Sequence, residues 1–381
     1  MKIERLKYED REYQWKLNTV EFLPNINLLV GISGAGKTQI LRSINTLKRV
    51  ANGGSLNGVC WDITFSNKDN IVYNWRGQFE TKLSNKLIAS DSEEEDEFKI
   101  LYEYLDKNNQ NLIERTEKEG IFFKGNKTPK LSPFKSIVEL LNQEEDISPV
   151  QQAFDKIFKI ENTTVFDDIL RLPAQILKRY ENCSLLEIKN SELPILIKLA
   201  LVYRYDTQVF NKIKSVFREI FNTIEDVKIE PFNQDELPLS LADVFKEAIL
   251  VKIKEKNVDT WIRQQYISLG MLKTLMYISE LYLAPDDSVI LIDEFENSLG
   301  INCIDSVTDL ICENKHLQFI ITSHHPYIIN NISPEYWKIV TRKGGIVNVK
   351  TAEDFHISSS RQKAFIDLIN VLEDYPEDLE D

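Results

Sequence analysis

One stretch near the amino terminus has the spacing of a phosphate-binding loop, with a glycine, four further residues and then Gly-Lys-Thr. It runs from Gly31 to Thr38 and reads Gly-Ile-Ser-Gly-Ala-Gly-Lys-Thr. In such loops backbone N–H groups surround phosphate oxygens, the lysine reaches the β- and γ-phosphates, and the hydroxyl binds Mg²⁺. We therefore predict that Lys37 and Thr38 bind ATP and Mg²⁺. The other predicted nucleotide-binding residues are Gly31, Ser33, Gly34, Ala35, Gly36 and Gln39.

The segments on either side of this loop have the structure that the motif requires. Residues 27–30, Asn-Leu-Leu-Val, can form a short buried strand, and Ile40, Leu41, Ile44 and Leu47 follow at helical spacing. A strand, a glycine-rich loop and a helix in this order favour a nucleotide site over a chance glycine-rich turn.

A second candidate segment lies near residue 290. Four consecutive apolar residues, 289–292, predict a strand that is buried on both faces, and Asp293 and Glu294 follow it directly. Ligands of α/β sheets bind at the carboxyl ends of the strands. We predict that Asp293 holds Mg²⁺ and that Glu294 polarises the water that attacks the γ-phosphate.

Two further segments complete the set of candidates. Residues 319–321 predict another core strand, which ends at Thr-Ser-His-His-Pro, residues 322–326. Ser268-Leu269-Gly270 leads into a helical stretch, and small residues at a helix start make an anion-binding end.

The order of these elements resembles ATP-binding-cassette (ABC) ATPases of the SMC and RecF type. The resemblance covers both ends of the chain and leaves a long insert between them unassigned. It implies an α/β fold, namely an ABC-type P-loop ATPase head with an antiparallel β subdomain and a large compact helical insertion. It also implies that Ser268 and Gly270 bind the γ-phosphate held by an opposite subunit. A histidine after the last core strand would contact the γ-phosphate; alignment on the following proline selects His324, with His325 as the alternative.

The resemblance also implies an oligomeric state, although the sequence departs from the family pattern at several positions. Met271 and Leu272 replace the second glycine and the glutamine of the usual signature, and Gly300 stands where one branch commonly has histidine. Residues 296–299, Glu-Asn-Ser-Leu, resemble the dimer-contacting loop of the branch that includes overcoming-lysogenization-defect nucleases. The implied assembly is a homodimer sharing two ATP sites, or a higher oligomer. Gln78 lies where some of these ATPases place a glutamine that senses Mg²⁺, and an exposed strand residue is the favoured alternative.

The chain is long for one compact unit, with 381 residues, so we expect an ATPase core and a second lobe. The predicted divisions are an amino-terminal ATPase half (1–80), a helical insert (81–256), a carboxy-terminal ATPase half (257–350), and a helix with an acidic tail (351–381). Residues 2–6 and 15–22 predict two strands at the edge of the ATPase sheet, and residues 59–66 and 70–79 predict an antiparallel hairpin. Residues 336–341 and 346–349 predict a terminal hairpin, followed by a short helix near 361–372.

The predicted insert begins with an acidic run, Asp91 and residues 93–97, which we expect in solvent. From there to about residue 256 the pattern indicates mainly helix. The clearest apolar stripes are Val209, Phe210, Ile213, Val216, Phe217, Ile220 and Phe221, and Leu241, Val244, Phe245, Ala248 and Ile249. No heptad pattern persists, so the insert is expected to be compact rather than a long coiled-coil arm.

The composition indicates where the protein is located and which partners it is not expected to bind over its whole surface. No apolar run approaches the roughly 20 residues that cross a bilayer, and no amino-terminal signal segment is evident, so we expect a cytoplasmic protein without membrane contact. The four cysteines have no Cys-x-x-Cys spacing and suggest no metal site. A net charge of −14 argues against wrapping nucleic acid over the whole surface, although a local basic groove remains compatible with it.

The leading functional hypothesis is an ATP-hydrolysing switch that resembles the ATPase partners of the Septu and PARIS anti-phage systems. It would control a separately encoded effector, a nuclease of the TOPRIM or HNH class, because the residues after 350 are too few for a TOPRIM domain. The trigger would be a nucleic acid or a phage protein. One alternative is a RecF-like DNA-repair clamp. Another is the nucleotide-binding subunit of a membrane transporter, which the large helical insert disfavours.

Overall fold

The computed structural model describes residues 1–82, 97–160, 171–231, 248–297, 299–358 and 360–373. The chain forms two compact units. The first unit comprises Met1–Ile160, Asp287–Glu294 and Lys315–Asp381, and the second comprises Glu161–Asp286 and Phe295–Asn314.

The strands, in chain order, are β1 (Lys2–Asp10), β2 (Trp15–Glu21), β3 (Ile26–Val30), β4 (Val59–Ser66), β5 (Val72–Phe79), β6 (Ile100–Lys107), β7 (Gln110–Thr116), β8 (Gly120–Phe123), β9 (Asn126–Lys127), β10 (Ile157–Ile160), β11 (Ile224–Pro231), β12 (Ile249–Glu255), β13 (Trp261–Arg263), β14 (Val289–Ile292), β15 (Gln318–Thr322), β16 (Trp337–Lys343) and β17 (Ile346–Thr351).

The helices are α1 (Lys37–Ala51), α2 (Ile137–Leu140), α3 (Ser148–Asp155), α4 (Ala174–Tyr180), α5 (Leu185–Asn190), α6 (Ile195–Tyr205), α7 (Thr207–Ile220), α8 (Leu269–Leu283), α9 (Ile301–Glu313), α10 (Pro326–Asn331) and α11 (Arg361–Glu373). None of the helices in the described ranges is both long enough and apolar enough to cross a membrane.

The first unit is built around one mixed sheet. Its strand order is β10-β14-β15-β3-β16-β17-β2-β1-β4-β5-β6-β7-β8-β9. Its strands β10, β14, β15, β3 and β16 run parallel. Every residue of β3, β14 and β15 is buried, as expected for apolar strands covered on both faces. Ile292 pairs with Ile321, and Ile321 with Leu28, so the carboxyl ends of these three strands meet at one edge. The phosphate loop and the Asp-Glu pair both leave the sheet there.

The antiparallel half of the sheet begins with β2 and extends to β9. The predicted hairpin of β4 and β5 is confirmed, and buried side chains alternate along both strands. Trp61, Trp75 and Phe79 pack together on the buried face. The prediction that β1 and β2 form the sheet edge was wrong, because β1 lies between β2 and β4, and β17 pairs with β2.

The helical prediction was also wrong for residues 100–127, which form the strands β6 to β9. β6 reads Ile-Leu-Tyr-Glu-Tyr-Leu-Asp-Lys, and its aromatic and branched residues suit a pleated surface. Asn108 and Asn109 form the turn to β7 with φ values of 48° and 63°. Asparagine tolerates positive φ better than most residues, so this Asn-Asn pair was a usable hairpin signal.

The second unit combines the helices α4 to α9 with a small antiparallel sheet, β11-β12-β13. The stripe that begins at Val209 is confirmed as the buried face of α7, with Phe210, Ile213 and Phe217 inside. The second predicted stripe is wrong at Ile249, which begins strand β12. Its members Leu241, Val244 and Phe245 lie outside the described residues, as do Asp91, residues 93–96, Ser298 and the acidic tail 374–381.

The carboxy-terminal part of the first unit follows the predictions. β16 and β17 form the predicted antiparallel hairpin, and α11 corresponds to the predicted short helix. β16 pairs in parallel with β3, so this hairpin lies next to the strand that leads into the phosphate loop.

Candidate functional site

The phosphate loop needs glycine at the positions where the backbone is most constrained. Gly34 and Gly36 have φ values of 84° and 101°, in the region that favours glycine. Gly31 lies against β16, where a β-carbon would come within 2.4 Å of the Val340 carbonyl oxygen. A β-carbon on Gly36 would come within 2.8 Å of a methyl group of Val347. The β16–β17 hairpin therefore supports the loop from beneath.

Helix α1 begins directly after Gly36, and its first two residues are Lys37 and Thr38. Its first turn has no acidic residue, so the positive end of the helix dipole is not offset there. The Lys37 amine donates to the carbonyl oxygens of Gly31 and Ile32 at 2.8 and 2.9 Å, which holds the amine over the loop. These features make the loop a binding site for anions.

The acidic residues meet this loop through two threonine hydroxyls. Thr38 and Thr322 both donate to Asp293 Oδ1, at 3.0 and 2.7 Å. The backbone N–H of Glu294 donates to the Thr322 hydroxyl at 2.7 Å. Glu294 has a φ of 49°, which is unusual for a residue with a side chain. Residues from α1, β14 and β15 are thus joined in one hydrogen-bonded cluster.

A cavity of about 510 Å³ opens above the loop and the cluster. Most of the predicted nucleotide, metal and catalytic residues line it, namely Gly31, Ser33, Gly34, Gly36, Lys37, Thr38, Gln39, Asp293, Glu294 and His324. Ala35 is a member of the loop but is buried in the core, 1% exposed. Ile32, Thr322, Ser323 and Arg342 also line the cavity.

The two adjacent histidines have different surroundings. His324 lines the cavity. His325 precedes α10, and its Nδ1 accepts a hydrogen bond from the Tyr327 N–H at 3.3 Å, as a helix-capping residue does. Of the two alternatives, the geometry therefore favours His324 as the histidine that lines the cavity.

Gln78, predicted as a metal-sensing residue, lies in the antiparallel half of the sheet. It is part of β5, where it pairs with Cys60 of β4 and Tyr102 of β6. It is not among the residues that line the cavity. Gln78 thus lies within a regular strand pair, as the alternative of a strand residue requires, but its side chain is half-buried rather than exposed.

Ser268 and Gly270, the predicted signature residues, belong to the second unit. Ser268 caps α8, since its hydroxyl accepts from the Met271 N–H at 3.2 Å. Lys273, one turn further along, donates to the carbonyl oxygen of Asn297 at 3.1 Å, and burial lowers its pKa. Helix α8 is thereby held to the segment that contains Asn297.

Arg342 is a cavity residue that sequence reasoning missed. Its Nε donates to the Gly344 carbonyl oxygen at 2.7 Å, and Nη1 lies 3.5 Å from Gln39 Oε1. The side chain is exposed and adds a second cation to the cavity wall, in addition to Lys37. No local motif marks it, because it approaches the loop only through the pairing of β16 with β3. The predicted hairpin was the one available signal.

Comparison with known proteins identifies a family for this chain. The family described as "AAA domain, putative AbiEii toxin, Type IV TA system" matches residues 26–330. No curated protein sequence matches the chain.

Three solved SMC head structures are similar to this chain. The SMC head bound to the C-winged helix domain of ScpA shares 16% identity with a TM-score of 0.51, covering 92% of this chain and 97% of that chain. The SMC head domain from Thermotoga maritima shares 12% identity with a TM-score of 0.45, covering 92% and 99%. The Smc head with a coiled coil and joint from Pyrococcus yayanosii shares 13% identity with a TM-score of 0.48, covering 98% and 99%.

The first of these similarities confirms the predicted fold, an ABC-type P-loop ATPase head built on a large mixed sheet. The family match extends from the strand before the phosphate loop to the helix after the two histidines. Since it spans most of the sequence, the chain belongs to the AAA-domain family of putative AbiEii toxins and type IV TA systems.

Proposed function

We propose that this chain is an ATP-binding and ATP-hydrolysing molecular switch. The observation that carries the proposal is the cluster in which Thr38 and Thr322 both bond to Asp293, beside the loop that Lys37 closes. A phosphate loop alone would support nucleotide binding. The acidic cluster at the same cavity supports hydrolysis as well.

The donor set fits Mg²⁺ with ATP. Mg²⁺ prefers oxygen ligands, and the Thr38 hydroxyl and the Asp293 carboxylate are already 3.0 Å apart. The loop N–H groups, Lys37 and the α1 amino terminus suit a triphosphate. When bound, the metal ion neutralises charge on the β- and γ-phosphates.

The catalytic assignments follow from the same edge of the sheet. Glu294 lines the cavity directly after Asp293 and can accept a proton from an attacking water. His324, which follows the end of the neighbouring strand β15, can donate a hydrogen bond to a γ-phosphate oxygen. Glu294 would then activate the water, and His324 would stabilise the charge that develops on the phosphate.

We further propose that two chains share two ATP molecules, with Ser268 and Gly270 of one subunit completing the site of the other. The shared fold with an SMC head supports this proposal. One of the SMC heads with this fold is bound to a domain of ScpA, which supports a head of this kind acting with a protein partner.

The biological setting we propose is anti-phage defence, with a separately encoded effector nuclease of the TOPRIM or HNH class and a nucleic-acid or phage-protein trigger. The family description names a putative AbiEii toxin and a type IV TA system, which supports a chain that acts with a separately encoded partner. Purification of the chain from its native operon, followed by identification of the proteins that accompany it, tests the effector. Recovery of the chain alone, under conditions that preserve known complexes of this size, would contradict a stable effector partner.

The test of ATP binding and hydrolysis is a comparison of wild type with Lys37→Ala. We expect Mg²⁺-dependent phosphate release by the wild type and loss of calorimetric Mg·ATP binding in the variant, since the cation over the loop is removed. Arg49→Ala is the matched control, because Arg49 is an exposed cation in the last turn of the same helix. Equal ATP affinity in all three proteins would refute the assignment of the loop.

A further inference from the structure

We infer that Thr322 is a positioning residue for ATP hydrolysis, through a single hydroxyl that fixes both the metal-binding Asp293 and the backbone of Glu294. This inference rests on the proposed function. It assigns to the end of β15 a role in addition to that of the histidine that follows.

The direction of both hydrogen bonds is determined by chemistry. A backbone N–H can only donate, so the Thr322 hydroxyl accepts from Glu294 at 2.7 Å. The hydroxyl proton is then directed to Asp293 Oδ1, also at 2.7 Å. A threonine hydroxyl has one proton and can accept at the same time, so this residue uses both capacities. Valine has nearly the same shape but neither capacity.

The bond to Asp293 fixes the carboxylate relative to Thr38. Oδ1 accepts from the hydroxyls of Thr38 and Thr322, which come from α1 and β15. Two donors on different elements restrict rotation of the carboxylate about its side-chain bonds. The two proposed metal-binding groups are therefore held in a fixed relation by a third residue that is itself 1% exposed.

The bond to Glu294 stabilises an unusual backbone conformation. Glu294 has a φ of 49°, and residues other than glycine adopt such values only when their surroundings hold them there. The N–H of the same residue is bonded to Thr322. Loss of this bond allows the peptide between Asp293 and Glu294 to rotate toward commoner conformations, which would move the Glu294 carboxylate away from its place on the cavity wall.

The test compares Thr322→Val, which keeps the shape, with Thr322→Ser, which keeps the hydroxyl. For Thr322→Val we expect kcat to fall by about 10- to 100-fold and the Mg²⁺ concentration for half-maximal activity to rise, as when groups that orient metal ligands are removed. Thr322→Ser should remain within about threefold of wild type, because its hydroxyl can make both bonds. Activities are normalised to the fraction of protein that is folded by circular dichroism.

Thr308→Val is a matched control for the loss of a buried threonine hydroxyl. Thr308 is 2% exposed and lies in α9, and its hydroxyl has no hydrogen-bond partner among the residues that the structure describes. We expect unchanged kcat and unchanged Mg²⁺ dependence for this variant. If Thr322→Val fails to fold, Thr322→Ala replaces it in the comparison with Thr322→Ser.

Wild-type kcat and Mg²⁺ dependence in Thr322→Val would overturn the inference. It would also be overturned if Thr322→Ser were as impaired as Thr322→Val, since the methyl group rather than the hydroxyl would then matter. A wild-type protein that binds Mg·ATP without hydrolysing it would refute the proposed hydrolysis separately. In that case Thr322→Val should still need more Mg²⁺ for nucleotide binding, and an unchanged Mg²⁺ requirement would refute the positioning role.

Discussion

The contact between the phosphate loop and β16 leads to a quantitative prediction for Gly31→Ala. The new β-carbon would lie 2.4 Å from the Val340 carbonyl oxygen, where an ordinary contact begins at about 3.4 Å. Both atoms belong to or are attached directly to the backbone, so no side-chain rotation can relieve the overlap. The loop must move by about 1 Å, because β16 is held by pairing with β3 and β17.

The displacement has two expected consequences of different size. Overpacking of this kind typically costs about 1–3 kcal/mol of stability, which lowers the melting temperature by several degrees. A loop displaced by about 1 Å loses hydrogen-bond geometry to the phosphates, and one hydrogen bond to a charged group is worth about 1.5–3 kcal/mol, or roughly 10- to 150-fold in affinity. We therefore expect Gly31→Ala to bind Mg·ATP about 100-fold more weakly in calorimetric titration, at a temperature where the protein remains fully folded.

Gly125→Ala serves as the control. Gly125 has a φ of 75° in the turn between β8 and β9, and a β-carbon there meets nothing within 4 Å. The variant should lose about 1–2 kcal/mol from backbone strain alone, with unchanged ATP affinity. Wild-type affinity in Gly31→Ala would show that the loop does not need its close approach to Val340, and the support that we assign to β16 would be wrong.

Three further outcomes are expected. Glu294→Gln should retain ATP while its hydrolysis rate falls by about 10²- to 10⁴-fold, since the amide keeps the shape but cannot take the proton. A wild-type hydrolysis rate in single-turnover assays would show that another residue is the base. Burial raises the pKa of Glu280 in α8 from 4.5 to about 7, against a smaller opposite effect of Lys198. The folded state therefore keeps a proton that the unfolded state releases, so stability should fall as pH rises from about 4.5 to 7, by about 1–3 kcal/mol. The free energy of unfolding of Glu280→Gln, measured in urea, should lack this pH dependence. If it changes with pH as in the wild type, Glu280 is not the group responsible. Finally, a mixture of the Lys37→Ala and Ser268→Arg proteins should regain partial ATPase activity if two subunits share each site. Subunit exchange then gives mixed dimers in which one of the two sites has both Lys37 and Ser268. Activity that stays at the level of the separate variants, with exchange shown by cross-linking, would rule out shared sites.

Local sequence patterns predicted the elements that carry the candidate site. The strand before Gly31 and the helix after it have strong periodic signals, and so do the apolar strands that end at Asp293 and Thr322. The apolar residues within each of these segments are enough to predict that it is buried, so a short stretch of sequence suffices. The residues that follow such strands could then be assigned to one edge of the sheet.

The antiparallel half was harder to predict because its burial depends on partners distant in sequence. Glu103 on β6 is 1% exposed and is satisfied by the Trp75 indole, the Ser136 hydroxyl and the Ile137 N–H. Arg115 lies 3.6 Å from its carboxylate. A window around Glu103 alone shows mixed polar and apolar residues that also fit a helix, since none of these partners is local.

The contacts that support the phosphate loop were also not predictable from local sequence, because they too come from residues distant in the chain. The family match covers residues 26–330 and ends before β16, yet Gly31 and Gly36 lie against Val340 and Val347, and Arg342 lines the cavity from the same hairpin. The motif glycines are usually explained by the phosphate alone. Here two of them are also constrained by strands that enter the sheet more than three hundred residues later. Because parallel pairing of β16 with β3 brings these residues together, the carboxy-terminal hairpin excludes side chains larger than glycine at these two positions of the loop.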